Sequence, residues 1–161
     1  MASSSSSSAT RLRHYDVFLS FRGVDTRQTI VSHLYVALRN NGVLTFKDDR
    51  KLEIGDTIAD GLVKAIQTSW FAVVILSENY ATSTWCLEEL RLIMQLHSEE
   101  QIKVLPIFYG VKPSDVRYQE GSFATAFQRY EADPEMEEKV SKWRRALTQV
   151  ANLSGKHSRN W

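Results

Sequence analysis

The sequence predicts a doubly wound α/β fold, a parallel sheet with helices on both faces. Two observations carry this expectation. First, YDVFLSF (Tyr15–Phe21), WFAVVILS (Trp70–Ser77) and KVLPIFYG (Lys103–Gly110) are short, β-branched or aromatic, and apolar nearly throughout. Continuous apolar strands belong to parallel sheets covered on both sides. Second, helical patterns separate these strands with short connections, which implies right-handed crossovers. A chain of 161 residues with an ordinary hydrophobic fraction suits one soluble domain with a proper core.

In chain order, residues 1–13 come first, within the lead-in MASSSSSSATRLRH. The serine run cannot bury apolar surface, so a disordered lead-in is expected. A transit peptide is the alternative, but the stretch is short and has no apolar face. Ala2 stands where N-myristoylation needs glycine. After the first strand, Ile30, Leu34, Ala37 and Leu38 recur at helical spacing, and Asn41-Gly42 supplies a stop. Gly42–Asp48 reads as a shorter, weaker strand. Ile58, Leu62, Ala65 and Ile66 mark a second helix, and Leu87, Leu90, Ile93 and Met94 a third. A fifth strand is either a few residues inside 111–132 or absent. Asp133-Pro134-Glu135 is a helix start: a cap, a proline in the first turn, then acid near the positive dipole end. Val140, Trp143, Leu147, Val150 and Ala151 continue that helix along one face.

Composition removes several classes of function. Net charge is +1, so nothing argues for DNA or an anionic membrane surface. No apolar run approaches the roughly 18 residues that span a bilayer. The lone cysteine, Cys86, excludes an internal disulfide framework and fits a reducing compartment. His14, His33, His97 and His157 have no metal-ligand spacing, so no metal is expected. Neither G-x-G-x-x-G after the first strand nor a P-loop is present, and no G-x-S-x-G elbow appears. A phospho-acceptor receiver would need an aspartate at the end of its central strand, where this chain has Ser77. Cys86 reads as a small buried hydrophobe rather than a nucleophile, because no histidine lies nearby in sequence.

In doubly wound folds the functional crevice lies outside the carboxyl ends of the strands. Here those ends are SFRGVDTR, FKDDRKLEIGD, LSENYATSTWCLEEL and FYGVKPSDVR. At about 100° per residue, the third helix turns Glu88 outward and places Glu89 at the border of its apolar face. Trp85 lies one turn before Glu89, so indole and carboxylate share a side. A carboxylate beside an aromatic plane in a partly covered cleft can stabilise a developing positive charge or hold sugar hydroxyls. The local alternative is that Trp85 plugs the helix start and Glu89 caps it. Arg22 can hold a phosphate and Gly23 permits close backbone approach; the alternative is a surface Arg–Asp network with Asp25. DDRKLEIGD is a charged loop with Gly55 for a sharp turn, readable also as a solvated connection.

The motifs YDVFLSFRGVDTR, FKDDRKLEIGDTI, VVILSENYATSTWCLEEL and VLPIFYGVKPSDVR, in register from about His14 to the chain end, closely resemble those of plant TIR (Toll/interleukin-1 receptor) domains. The resemblance implies a flavodoxin-like, three-layer fold with a five-stranded parallel sheet, over residues 14–155, with 156–161 beginning a linker. Many plant TIR domains cleave NAD⁺ when self-associated and trigger immune signalling and cell death. By resemblance, Glu89 is the catalytic acid and Trp85 lines the nicotinamide side. Phe21, Arg22 and Gly23 match the loop after the first strand, and Lys51, Glu53 and Gly55 the mobile loop that rims the nucleotide. Ser32 and His33 match one self-association face and Gly121 a glycine near a second. Helical angle agrees for the first pair, with Ser32 away from the apolar stripe and His33 at its flank.

Two functions follow as expectations. One is an NAD⁺ nucleosidase, with NAD⁺ as substrate rather than cofactor, activated by assembly into a homodimer or larger oligomer, or with other TIR proteins. The other is a non-catalytic adaptor that acts only through homotypic TIR–TIR assembly. Both imply a cytoplasmic or nucleocytoplasmic location. The chain is expected to be either a domain excised from a receptor or a TIR-only protein.

Overall fold

The computed structural model describes residues 12–47, 60–153 and 156–157. β1 (Tyr15–Ser20), β2 (Thr45–Lys47), β3 (Ser69–Leu76) and β4 (Lys103–Phe108) are the body of a parallel sheet. A two-residue pairing, β5 (Lys156–His157), adds to the edge of β4, giving the order β2-β1-β3-β4-β5. The expected location of the fifth strand is thereby corrected. Stretch 111–132 is helical instead: α4 is Pro113–Tyr118 and α5 is Ser122–Glu131. Pro113 in the first turn favours a helix there, because it needs no N–H and its φ is already helical.

The remaining helices are α1 (Ser32–Asn40), α2 (Asp60–Gln67), α3 (Thr84–Ser98) and α6 (Glu137–Ala151). Side chains alternate along each strand, so the sheet has two different faces. Phe18, Ala72, Val74, Leu76 and Phe108 form one core with Leu62, Leu87, Leu90, Phe127, Trp143 and Leu147 from the surrounding helices. Val17, Leu19, Val73, Ile75 and Ile107 form the other, beneath Val31 and the half-buried Ile30, Leu34 and Leu38. The second face is thinly covered. No residue of α1 is fully buried, and Ala37, expected on the apolar stripe, is exposed. Phe71 is exposed on β3, against the expectation of a strand buried throughout. Trp70, also exposed, instead carries the Arg13 guanidinium over its ring at 4.3 Å.

Local signals act as their chemistry dictates. Asn41 ends α1, Gly42 takes φ 78°, and Val43 N–H closes back on the Leu38 carbonyl at 2.9 Å. Ser83 caps α3, its Oγ accepting from Cys86 N–H at 3.2 Å. Asp133 accepts from Glu135 N–H at 3.0 Å, capping a single 3₁₀ turn (Pro134–Met136) that leads into α6. The chain starts at β1, moves outward to β2 and returns past β1 to β3. Strand order therefore reverses between β1 and β3, and their carboxyl ends frame the crevice of a doubly wound fold.

Candidate functional site

Glu89 lies on α3 beneath this switch point and is 4% exposed, deeper than a cleft-border position. Its Oε1 accepts from Ser20 Oγ, the last residue of β1, at 2.7 Å. Ser20 Oγ also lies 2.7 Å from the Tyr80 hydroxyl, which donates to the Cys86 carbonyl at 3.0 Å. Burial is the main cause that pushes the Tyr80 phenol well above its usual range, and electrostatic coupling to Cys86 and Glu89 adds to it. The Cys86 thiol is raised far above a thiol's ordinary value, again by burial first and then by Glu89. Its Sγ donates to the Phe21 carbonyl at 3.4 Å. A thiol held neutral in this way is no nucleophile.

The two adjacent glutamates separate as their angles predict, with one correction. Glu88 does not project freely into solvent; its carboxylate accepts from Arg91 Nε at 2.8 Å and is partly covered. Trp85 sits one helical turn before Glu89 and is buried, at 7% exposed. Its indole Nε1 has no hydrogen-bond partner among the described residues.

The turn after β1 locks onto the turn after β3. Asp25 accepts from Ser77 Oγ at 2.6 Å, Asn79 N–H at 2.7 Å and Asn79 Nδ2 at 2.8 Å. Arg22 Nε donates to Thr82 Oγ1 at 3.3 Å. Arg22 and Asp25 thus reach across the switch point to separate partners. Tyr130 of α5 supports the same turn, donating to the Ala81 carbonyl at 2.7 Å; burial pushes its phenol up to about 12. A cleft of about 490 Å³, lined by Asp25, Ser77, Glu78, Tyr109 and Gly110, opens beside this clasp, with Glu89 outside its lining.

Phe21 is buried and Gly23 begins a helical turn, Gly23–Thr26, at the crevice. Lys51, Glu53 and Gly55 lie outside the described residues. Ser32 and His33 are both exposed on the first turn of α1. Gly121 precedes α5 at φ 60°, ψ −131°, and a Cβ there would meet Asp115 Oδ2 at 2.9 Å. Its glycine is therefore a backbone requirement of the α4–α5 turn. Sequence reasoning missed Ser20, Tyr80, Ser77 and Asn79. The available signal was polar: a serine ends each of two apolar strands, FLS and VILS.

A flavodoxin-like domain with a buried acid and an indole on one helix at the strand-order switch fits a domain of the Toll/interleukin-1 receptor type. The chain belongs to the TIR domain family, whose model matches residues 14–161. It is 54% identical to TMV resistance protein N of Nicotiana glutinosa over 156 residues, 96% of this chain and 13% of that protein. It is 53% identical to disease resistance protein RPV1 of Vitis rotundifolia over 97% of this chain and 11% of that one. The chain thus spans only a small part of these relatives. Among solved structures it is similar to the TIR domains of the activated Roq1 resistosome, which directly recognises the pathogen effector XopQ. That likeness has a TM-score of 0.84 and 52% identity, over 91% of this chain and 89% of that one. Among the described residues, no helix is long and apolar enough to cross a membrane.

Proposed function

We propose that this TIR domain cleaves the nicotinamide–ribose bond of NAD⁺ and that self-association switches the reaction on in plant immune signalling. The observation that carries the reading is the buried Glu89 carboxylate, one turn from Trp85, at the carboxyl ends of β1 and β3. Departure of neutral nicotinamide leaves positive charge on the ribose, and carboxylates stabilise such oxocarbenium-like states in glycoside hydrolysis. Glu89 is assigned to that charge or to the ribose hydroxyls, and Trp85 to the nicotinamide side. Arg22 is assigned to a phosphate or pocket contact, and Phe21 and Gly23 to the adjoining wall. Lys51, Glu53 and Gly55 are assigned to the nucleotide rim, and water completes the hydrolysis. NAD⁺ is substrate here, and the scheme uses no metal.

The burial of Glu89 supports the second half of the proposal. A carboxylate exposed at 4% cannot touch a substrate without movement, and assembly is a means of supplying it. The Roq1 neighbour is an activated resistosome, which supports TIR–TIR assembly, with Ser32, His33 and Gly121 as the assigned surfaces. The same burial favours a second reading, an adaptor that assembles without turnover. Relatives that are disease resistance proteins support an immune role; a cytoplasmic or nucleocytoplasmic location is part of the same proposal.

The deciding experiment incubates concentrated protein with NAD⁺ and follows nicotinamide release in wild type, Glu88→Ala and Glu89→Ala. Turnover is expected in wild type and Glu88→Ala and absent in Glu89→Ala. Release that survives Glu89→Ala sinks the site assignment, and no release from self-associated wild type selects the adaptor.

A further inference from the structure

Ser20 closes a strand that is apolar from Val17 onward and is fully buried, a place where alanine would pack as well. Its hydroxyl is instead committed to two partners, Glu89 Oε1 at 2.7 Å and the Tyr80 hydroxyl at 2.7 Å. Tyr80 is fully buried too, and its hydroxyl also reaches the Cys86 carbonyl at 3.0 Å. The hydroxyl protons can be counted. A carbonyl only accepts and an ionised carboxylate only accepts, so Ser20 and Tyr80 bring two protons to three oxygen–oxygen contacts. With Glu89 ionised, Ser20 gives its proton to Oε1, and Tyr80 divides its one proton between Ser20 and the Cys86 carbonyl. A serine that accepts from a phenol becomes a stronger donor to the carboxylate beyond it.

We propose that Ser20, backed by Tyr80, is a positioning residue for Glu89, fixing Oε1 and favouring the ionised carboxylate in its buried setting. The catalytic consequence rests on the NAD⁺ reading, whereas the hold on the carboxylate does not. Among the described residues, the other titratable or charged groups around the cluster include Cys86 on α3, Arg22 and Asp25 from the turn after β1, and Tyr130 on α5. Burial keeps Cys86 and Tyr80 neutral, and the Ser20 hydroxyl directs a hydrogen bond at Glu89 Oε1 that favours the charged form.

The test separates the hold from the chemistry. Glutamate side chains are labelled with ¹³C, the Glu89 signal is assigned by its loss in Glu89→Gln, and the carboxyl is titrated by NMR. Ser20→Ala should move Glu89 ionisation to higher pH, Tyr80→Phe should move it the same way by less, and Ser20→Thr should return it towards wild type. Tyr80→Phe keeps the ring in the core and carries the test if Ser20→Ala does not fold. A Glu89 titration that neither variant moves overturns the proposal. In nicotinamide release, Ser20→Ala should lower kcat about tenfold to a hundredfold with KM little changed, as expected for a lost hydrogen bond to a charged group. Ser20→Thr should recover much of it, and a loss confined to KM overturns the positioning role. Wild type that releases no nicotinamide while Ser20→Ala still moves the titration would sink the NAD⁺ reading and leave the hold standing.

Discussion

Replacing Asp25 by alanine should loosen the carboxyl ends of β1 and β3 together. Three donors lose their acceptor: Ser77 Oγ at 2.6 Å, Asn79 N–H at 2.7 Å and Asn79 Nδ2 at 2.8 Å. A hydrogen bond to a charged group contributes about 1.5–3 kcal/mol, but three that share one carboxylate do not add. Asn79 is half-buried, so its donors find water, whereas Ser77 is 1% exposed and its hydroxyl is stranded. One stranded donor costs about 1–3 kcal/mol, and a share of the other two brings the loss to about 2–4 kcal/mol. For a domain of this size each kcal/mol moves the melting temperature by about 2–4 °C, so Asp25→Ala should melt about 4–16 °C below wild type. Asp25→Asn should recover only part of this, because its amide NH₂ faces donors. Ser77→Ala removes the donor along with its need and should cost about 1 kcal/mol. Calorimetry measures all three, and hydrogen exchange over residues 77–82 should rise first. An Asp25→Ala domain that melts within about 2 °C of wild type refutes the clasp.

Gly121→Ala should destabilise the α4–α5 turn by about 1–3 kcal/mol, because the backbone conformation disfavours any side chain and the new methyl meets Asp115. Trimming the obstacle in Gly121→Ala/Asp115→Ala should recover the steric part alone, and thermal melts of both variants check it. Any loss of self-association on substituting Gly121 is therefore read against its melting temperature. Burial pushes the Tyr130 phenol up to about 12, above a tyrosine's ordinary 10.0. A raised phenol pKa favours the protonated fold, so this contribution is intact below pH 10 and fades as pH rises through about 12. Tyr130→Phe should show a flatter decline in melting temperature across that window, and parallel curves would refute the assignment. Ser32→Ala/His33→Ala should weaken self-association in sedimentation while leaving melting unchanged, since both side chains are exposed. Unchanged association would remove this face from the proposal.

How far the fold was legible depended on how much signal each element put into its own residues. β1, β3 and β4 announced themselves because each carries a run of buried apolar side chains. β5 did not, because Lys156 and His157 form a two-residue edge pairing with neither apolar run nor period. The error over β3 has a related origin. Propensity places Trp70 and Phe71 in a strand, and they are in one, but burial depends on what covers the sheet. Phe71 shares the face of Val73 and Ile75, whose cover is Val31 and half-buried residues such as Ile30, Leu34 and Leu38.

The site divides along the same line. Trp85 and Glu89 lie on one helix, so their shared side follows from helical angle alone. Arg22 and Asp25 are neighbours in sequence and invite the reading of a mutual pair, yet each satisfies itself across the switch point. Their partners are 52 or more residues away, and no local period encodes that distance. The chemistry of the strand ends still carries a clue. Ser20 ends β1 and holds Glu89 from α3, and Ser77 follows β3 and holds Asp25 from the turn after β1. Each of the two central strands thus delivers one buried hydroxyl to an acid from elsewhere in the chain. A serine that terminates an apolar parallel strand has left the packing pattern, and burial obliges it to find a partner. At the point where strand order reverses, the partners within reach come from the loop of the neighbouring strand or the helix beneath it. That rule selects Ser20 and Ser77 from the sequence once the strand order is known, and the two acids follow from them.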